Sequence, residues 1–290
     1  MDTNDISPKN VLNELSGGRW LYFTRSVLIT TYPSEYGHQL RKAHGANKPP
    51  QLMRELIEFF TRSGGRVLDP FAGVGGTLLG ASICERPREA LGIEINPKWI
   101  EIYHNVLAAH RELRPQTLLQ GDCLQVMETL EEGSFDLVAT DPPYNIHFEQ
   151  TMSNGHYAQG HANRRTDYDM RSTDPRDLAN LASYEAYLEA MERVFAACYR
   201  LLKPRKYLVL IVRNAYQQGE YMFTHVDLAR RAKLHGFVPK GEIVWYQVGT
   251  RLRPYGYPSA FVPNIAHQYI LVLQKPKLAS VKKKTIERGS

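Results

Sequence analysis

Between residues 67 and 143 the chain repeats one pattern, and the pattern leaves few folds open. A short apolar run leads to a carboxylate, a turn follows, and an amphipathic stretch leads into the next run. The runs are Arg66–Asp69, Ala90–Glu94, Thr117–Asp122 and Phe135–Thr140, the last followed directly by Asp141. Helical stretches near 76–84, 97–113 and 123–131 separate them, and Asn96-Pro97 supplies an N-cap and a first-turn proline for the second. Such alternation predicts βα units on a parallel sheet. Further helices over Tyr184–Leu202 and Phe223–His235, with strands over Tyr207–Arg213, Gly241–Gln247 and Gln268–Gln274, give an α/β sheet of about seven strands. Ligands of open α/β sheets sit beyond the carboxyl ends of the strands. Asp69, Glu94, Asp122 and Asp141 therefore arrive where a ligand is expected.

The turn after the first run reads Asp69-Pro70-Phe71-Ala72-Gly73-Val74-Gly75-Gly76-Thr77. Its glycines permit a tight turn and close backbone approach to a ligand. A dinucleotide turn would need glycine where Leu78 stands, and a P-loop would need a Gly-Lys-Ser/Thr run that is absent. The turn suits a ligand without phosphate. Glu94 is placed to hold ribose hydroxyls, and Asp122 to accept from an adenine amino group.

Asp141-Pro142-Pro143-Tyr144 closes the fourth run. Asp141 can accept a hydrogen bond from an exocyclic NH2. The prolines fix φ and leave backbone carbonyls to accept another. Tyr144 can stack on a base plane. A strand ending in a proline turn is also common without function, so this tetrapeptide alone leaves both readings open.

Together and in this order, the two motifs resemble those of S-adenosylmethionine-dependent amino-methyltransferases of the DNA type, over residues 44–275. The resemblance implies a Rossmann-like methyltransferase fold, with a mostly parallel sheet and helices on both faces. It implies a cofactor site of Asp69, Pro70, Phe71, Ala72, Gly73, Gly75, Gly76 and Thr77, with Glu94, Ile95, Asp122, Cys123 and Asp141. Lys48-Pro49 resembles the family's Thr-x-Lys-Pro element beside the cofactor, with Ala46 in the threonine position. Asp141, Pro142, Pro143 and Tyr144 would hold the target amino group and carry catalysis. The implied reaction moves a methyl group from S-adenosyl-L-methionine to adenine N6 in a base flipped out of double-stranded DNA. Cytosine N4 is the alternative, and an RNA amino group a further one. A restriction-modification role fits such an enzyme. A silent nucleic-acid-binding module and a nicotinamide-dependent oxidoreductase are rivals. Leu78 disfavours the second, and two intact motifs disfavour the first.

Asn145–Ser183 is polar, poor in aliphatics and adjacent to the catalytic motif, which predicts a mobile target-binding loop whose Arg164, Arg165, Arg171 and Arg176 either contact phosphates, Arg164 and Arg165 first, or solvate the loop. Gly249–Asn264 interleaves Arg251 and Arg253 with aromatics and reads either as a second DNA-facing loop or as a strand connection that packs its aromatics inward. Residues 1–43 form an N-terminal extension with a short strand pair around Trp20–Tyr32, and 276–290 a basic tail. Net charge +6 mildly favours a polyanionic partner. The three cysteines are scattered, so neither a disulfide nor a metal site is expected, and His147, His156 and His161 match no metal spacing. Without a signal-peptide core or membrane span, a cytoplasmic protein is expected. Assembly as a homodimer is left open.

Overall fold

The computed structural model describes residues 5–45, 47–143 and 173–277. Tyr144, Arg164, Arg165, Arg171, Ala46 and the basic tail beyond 277 lie outside them. In chain order the elements are α1 (Gly17–Phe23), β1 (Val27–Ile29), α2 (His38–Arg41), α3 (Pro50–Phe60), β2 (Arg66–Asp69), α4 (Gly76–Ser82), β3 (Glu89–Glu94) and α5 (Pro97–Ala109). There follow β4 (Thr117–Gln120), α6 (Cys123–Glu128), β5 (Phe135–Thr140), α7 (Tyr184–Leu201), β6 (Leu202–Val212), β7 (Ala215–Gln217), β8 (Glu220–Met222), α8 (Thr224–Leu234), β9 (Val238–Tyr246) and β10 (His267–Gln274).

The main sheet has eight strands in the order β1-β9-β10-β6-β5-β2-β3-β4. From β4 through β6 it is parallel, and β10 runs antiparallel to both β6 and β9. β7 and β8 form a separate hairpin. The expected seven strands are present, and β1 adds an eighth by pairing parallel to β9, Leu28 opposite Trp245. The expected strand pair at Trp20–Tyr32 is not formed. Ser16 caps α1 by accepting from the Arg19 N–H, and the resulting helix turns Phe23 onto Phe59, ring centroids 3.9 Å apart. The cap and the packing of that half-buried ring favour a helix there.

Two apolar layers cover the sheet. On one face Leu52, Leu56 and Ile57 of α3, Leu78 and Leu79 of α4, and Tyr103 and Val106 of α5 pack against Leu137, Ala139, Val209 and Ile211. On the other, Tyr187, Met191, Val194, Phe195 and Leu228 pack against Phe135, Val138, Leu208 and Leu210. Central strands with both faces covered must be apolar throughout, and Leu137, Val138, Ala139, Leu208, Val209 and Leu210 are all buried. This frame fixes the strand ends. With β5 and β6 parallel and β10 reversed, Asp141, the end of β6, the start of β10 and the end of β9 share one edge.

Candidate active site

That edge opens into a cleft of about 1020 Å³, including its mouth. Its floor is the glycine turn. Gly75 lies in the left-handed region at φ 81°, and a Cβ there would meet the Tyr103 ring at 2.3 Å, so only glycine lets α4 start against α5. Gly73, at φ 51°, faces the His44 ring, 3.3 Å from where a Cβ would sit.

Asp69 is buried and its oxygens are engaged by the protein itself. Oδ1 accepts from the Thr140 hydroxyl at 2.5 Å and the Phe71 N–H at 3.0 Å, and Oδ2 accepts from the Thr77 hydroxyl at 2.5 Å. Burial pushes its carboxyl up to about 6 against these hydrogen bonds, with Asp141 adding to the rise. Asp69 thus ties the turn to β5. Glu94 bridges the next loop: Oε2 accepts from the Gly73 N–H and Oε1 from the Asn96 N–H, both at 2.8 Å. Burial pushes Glu94 up to about 7, opposed by those two N–H groups and reinforced by Asp177 and Asp69. Asp122 caps α6, accepting from the Gln125 N–H at 3.0 Å, and Cys123 behind it is buried, its thiol pushed up to about 12.

Across the cleft, Lys48 donates to Asp141 Oδ2. The two side chains are 7% and 16% exposed and 93 residues apart in sequence. Their contact joins the Lys-Pro element to the Asp-Pro-Pro element. Arg41, buried beneath, donates to the Lys48 carbonyl, and burial lowers its guanidinium to about 10. His44 sits edge-on to Trp99 at 4.7 Å. Burial, with the Lys48 and Arg41 charges, holds it down to about 4, so it is neutral at physiological pH.

Of the expected site residues, Lys48, Asp69, Pro70, Phe71, Ala72, Gly73, Gly76, Thr77, Glu94, Ile95, Asp122, Cys123, Asp141, Pro142 and Pro143 line this one cleft. Pro49 and Gly75 do not. Pro49 supports the start of α3, and Gly75 is turned toward Tyr103. Arg251 and Arg253 are exposed on the β9–β10 loop, outside the cleft. His44, Asn47, Met53, Trp99 and Arg176–Ala179 also line it and were missed. Trp99, an aromatic in the first turn after a strand ending in Glu94, carried a usable signal. Arg176 carried a signal only as a loop arginine, and residues 177–179 carried none. They end the stretch expected to be a mobile loop, yet Leu178 and Ala179 are buried and Leu178 joins the core, because Asp177 caps a 3-10 turn over Leu178–Asn180. Arg176 is held by Asp174 at 2.6 Å and Gln125 at 3.1 Å.

The donor set fits a phosphate-free, hydroxyl-bearing cation. Five carboxylates, Asp69, Glu94, Asp122, Asp141 and Asp177, line the cleft against Lys48 and Arg176. A phosphate would meet that charge unfavourably. Fold and cleft together define a Rossmann-like methyltransferase, the class that uses S-adenosyl-L-methionine. More specifically, the chain belongs to the DNA methylase family that acts on N6 and N4 amino groups, whose family model matches residues 13–105 and 135–289.

Among curated proteins it is 28% identical over 131 residues to the type II methyltransferase M.HpaI of Haemophilus parainfluenzae, covering 45% of this chain and 32% of that one. It is 29% identical over 96 residues to a tRNA (guanine(10)-N2)-dimethyltransferase of Pyrococcus abyssi, covering 33% and 28%. The chain thus spans about a third or less of the curated relatives it matches. A solved structure, TrmN from Thermus thermophilus, shares the fold at TM-score 0.51 and 17% identity, over 82% of this chain and 53% of that one. Among the described residues no helix is long and apolar enough to cross a membrane, and no three His, Cys, Asp or Glu side chains group as metal ligands.

Proposed function

We propose that the chain methylates an exocyclic amino group of a base in double-stranded DNA, adenine N6 in the first instance and cytosine N4 as the alternative. The observation that carries this reading is the meeting of Asp141 and the glycine turn in one acidic cleft. Bound there, S-adenosyl-L-methionine supplies an electrophilic methyl group on a sulfonium. Glu94 and the turn backbone would hold its ribose and methionine parts, with Lys48, Ile95, Asp122 and Cys123 around it.

An exocyclic amino nitrogen is a weak nucleophile because its lone pair is delocalised into the ring. The chain's task is to orient it. Hydrogen bonds from its two N–H groups to the Asp141 carboxylate and the Pro142 carbonyl would turn the lone pair out of the ring plane. Lys48 holds the Asp141 side chain in place. Two prolines in a row keep the Pro142 carbonyl fixed. Positioning of this kind can contribute about 7–11 kcal/mol to the rate. The methylated nitrogen then releases a proton to Asp141 or water. Such a base is unreachable inside a duplex, so it is extruded, with Tyr144 stacking on it.

The match to a tRNA guanine-N2 dimethyltransferase favours one second reading, an RNA amino group presented to the same motif. Labelled methyl transfer to genomic DNA and to total tRNA, run side by side, separates the two. DNA should accept label and tRNA should not. Label in tRNA alone would transfer the reading to RNA.

A further inference from the structure

The connection between β9 and β10 lies on the Asp141 edge of the sheet, and its β10 end is two strands from β5, or about 10 Å at the usual strand spacing. It is built as a fixed loop. The Asn264 side chain brackets Arg253, accepting from its N–H and donating to its carbonyl, both at 2.8 Å. The Ser259 and Ala260 N–H groups donate to the Gly256 carbonyl at 2.9 and 2.7 Å. Gly256 is at φ 73°, and a Cβ there would lie 2.4 Å from the Ala260 oxygen. Arg213, at the end of β6, donates to the Ile265 carbonyl and ties the loop to the catalytic edge.

This ordered loop turns its apolar groups outward. Phe261 is 87% exposed, Tyr257 73% and Leu252 68%. Holding such rings in water is unfavourable, and here the turn hydrogen bonds keep the backbone that carries them. The same stretch holds Arg251 and Arg253, both exposed, and no Asp or Glu between Tyr246 and His267. An acidic polymer with an apolar interior matches both features: rings enter the base stack while guanidinium groups meet the phosphates.

We propose that this loop is a wedge, with Phe261 entering the DNA base stack at the space left by the extruded target base and Arg251 and Arg253 gripping the adjacent phosphates. The wedge serves extrusion of a target base, and so rests on the amino-methylation reading. An apolar side chain that fills the vacated space lowers the cost of keeping the base out. A base that is already mispaired needs less help, because it is partly out of the stack beforehand.

The test is single-turnover methylation by the full chain, on a duplex carrying a site the wild type methylates and on the same duplex with the target base mispaired. Phe261→Ala should lose about tenfold or more on the paired duplex and stay near the wild-type rate on the mispaired one. Phe261→Leu should recover most of the loss. S-adenosylhomocysteine affinity should be unchanged, which excludes misfolding. Equal losses on both duplexes, or none on the paired one, would overturn the wedge. A wild type that methylates no site in genomic DNA would instead remove the amino-methylation reading. Arg251→Gln with Arg253→Gln should reduce the log–log salt slope of DNA binding by up to about 0.9 per lost contact. An unchanged slope would overturn the phosphate grip.

Discussion

On the β2–β3–β4 side of Asp141, the functional edge turns its polar groups inward. Asp69 is engaged by Thr77 and Thr140, and Glu94 is oriented by one backbone N–H on each oxygen, from Gly73 and Asn96, so the cleft is shaped before any ligand arrives. On the β6–β10–β9 side, a hydrogen-bonded loop turns Phe261, Tyr257 and two arginines outward. The first surface is concave and anionic, and suits a small cation. The second is exposed, cationic and apolar, and suits a polyanion that can be entered. Asp141 lies where they meet. The difference teaches that two unlike ligands can be served by neighbouring strand ends, provided each side is finished by its own loops.

The largest effect that sharpens this division comes from Gly73→Leu. The added side chain would occupy the turn against His44, where a Cβ alone sits 3.3 Å from the ring. Calorimetry should show S-adenosylhomocysteine binding weakened by about a hundredfold or more, since the site loses backbone approach and at least 2.7 kcal/mol, roughly, of contact. DNA affinity should hold. Parallel loss of DNA binding would show that the two sides are not separate.

A smaller effect is expected from pH. Glu94 is raised from 4.5 to about 7 in the folded chain. The folded state therefore holds a proton that the unfolded chain has already released, and its contribution to stability is full below pH 4.5 and lost as pH rises through 7. Ligand hydroxyls donate to the ionised form, so binding should run the other way. S-adenosylhomocysteine affinity should rise as pH climbs through 7, by about tenfold per unit at the steepest. Glu94→Gln should flatten that rise. A profile that is flat in the wild type would mean that Glu94 does not hold the ligand.

The first surface was largely legible in the sequence and the second only partly, for physical reasons. Short buried runs, a turn that needs glycine at φ 81°, and a proline pair at a strand end are local requirements, and local requirements leave residue signatures. Asp69 was legible as a site residue but not in its role. That role depends on Thr140, which reaches it across 71 residues. The Lys48–Asp141 contact likewise spans 93 residues and exists only once α3 is docked on the sheet. β1 is a three-residue strand with Val27 and Ile29 exposed, and only its partner β9 makes it one. Arg251 and Arg253 could be singled out by composition, but the outward set of Phe261 depends on Asn264 and Gly256, whose hydrogen bonds no periodicity announces.

The most direct measurement is nucleoside mass spectrometry of genomic DNA incubated with S-adenosyl-L-methionine and either wild-type chain or Asp141→Ala. The wild type should yield N6-methyldeoxyadenosine, or N4-methyldeoxycytidine under the alternative. Asp141→Ala should lower the yield by about a thousandfold while still binding S-adenosylhomocysteine, because Asp141 is proposed to serve the acceptor nitrogen. Methylated nucleoside from Asp141→Ala at the wild-type rate, or none from the wild type, would contradict the account.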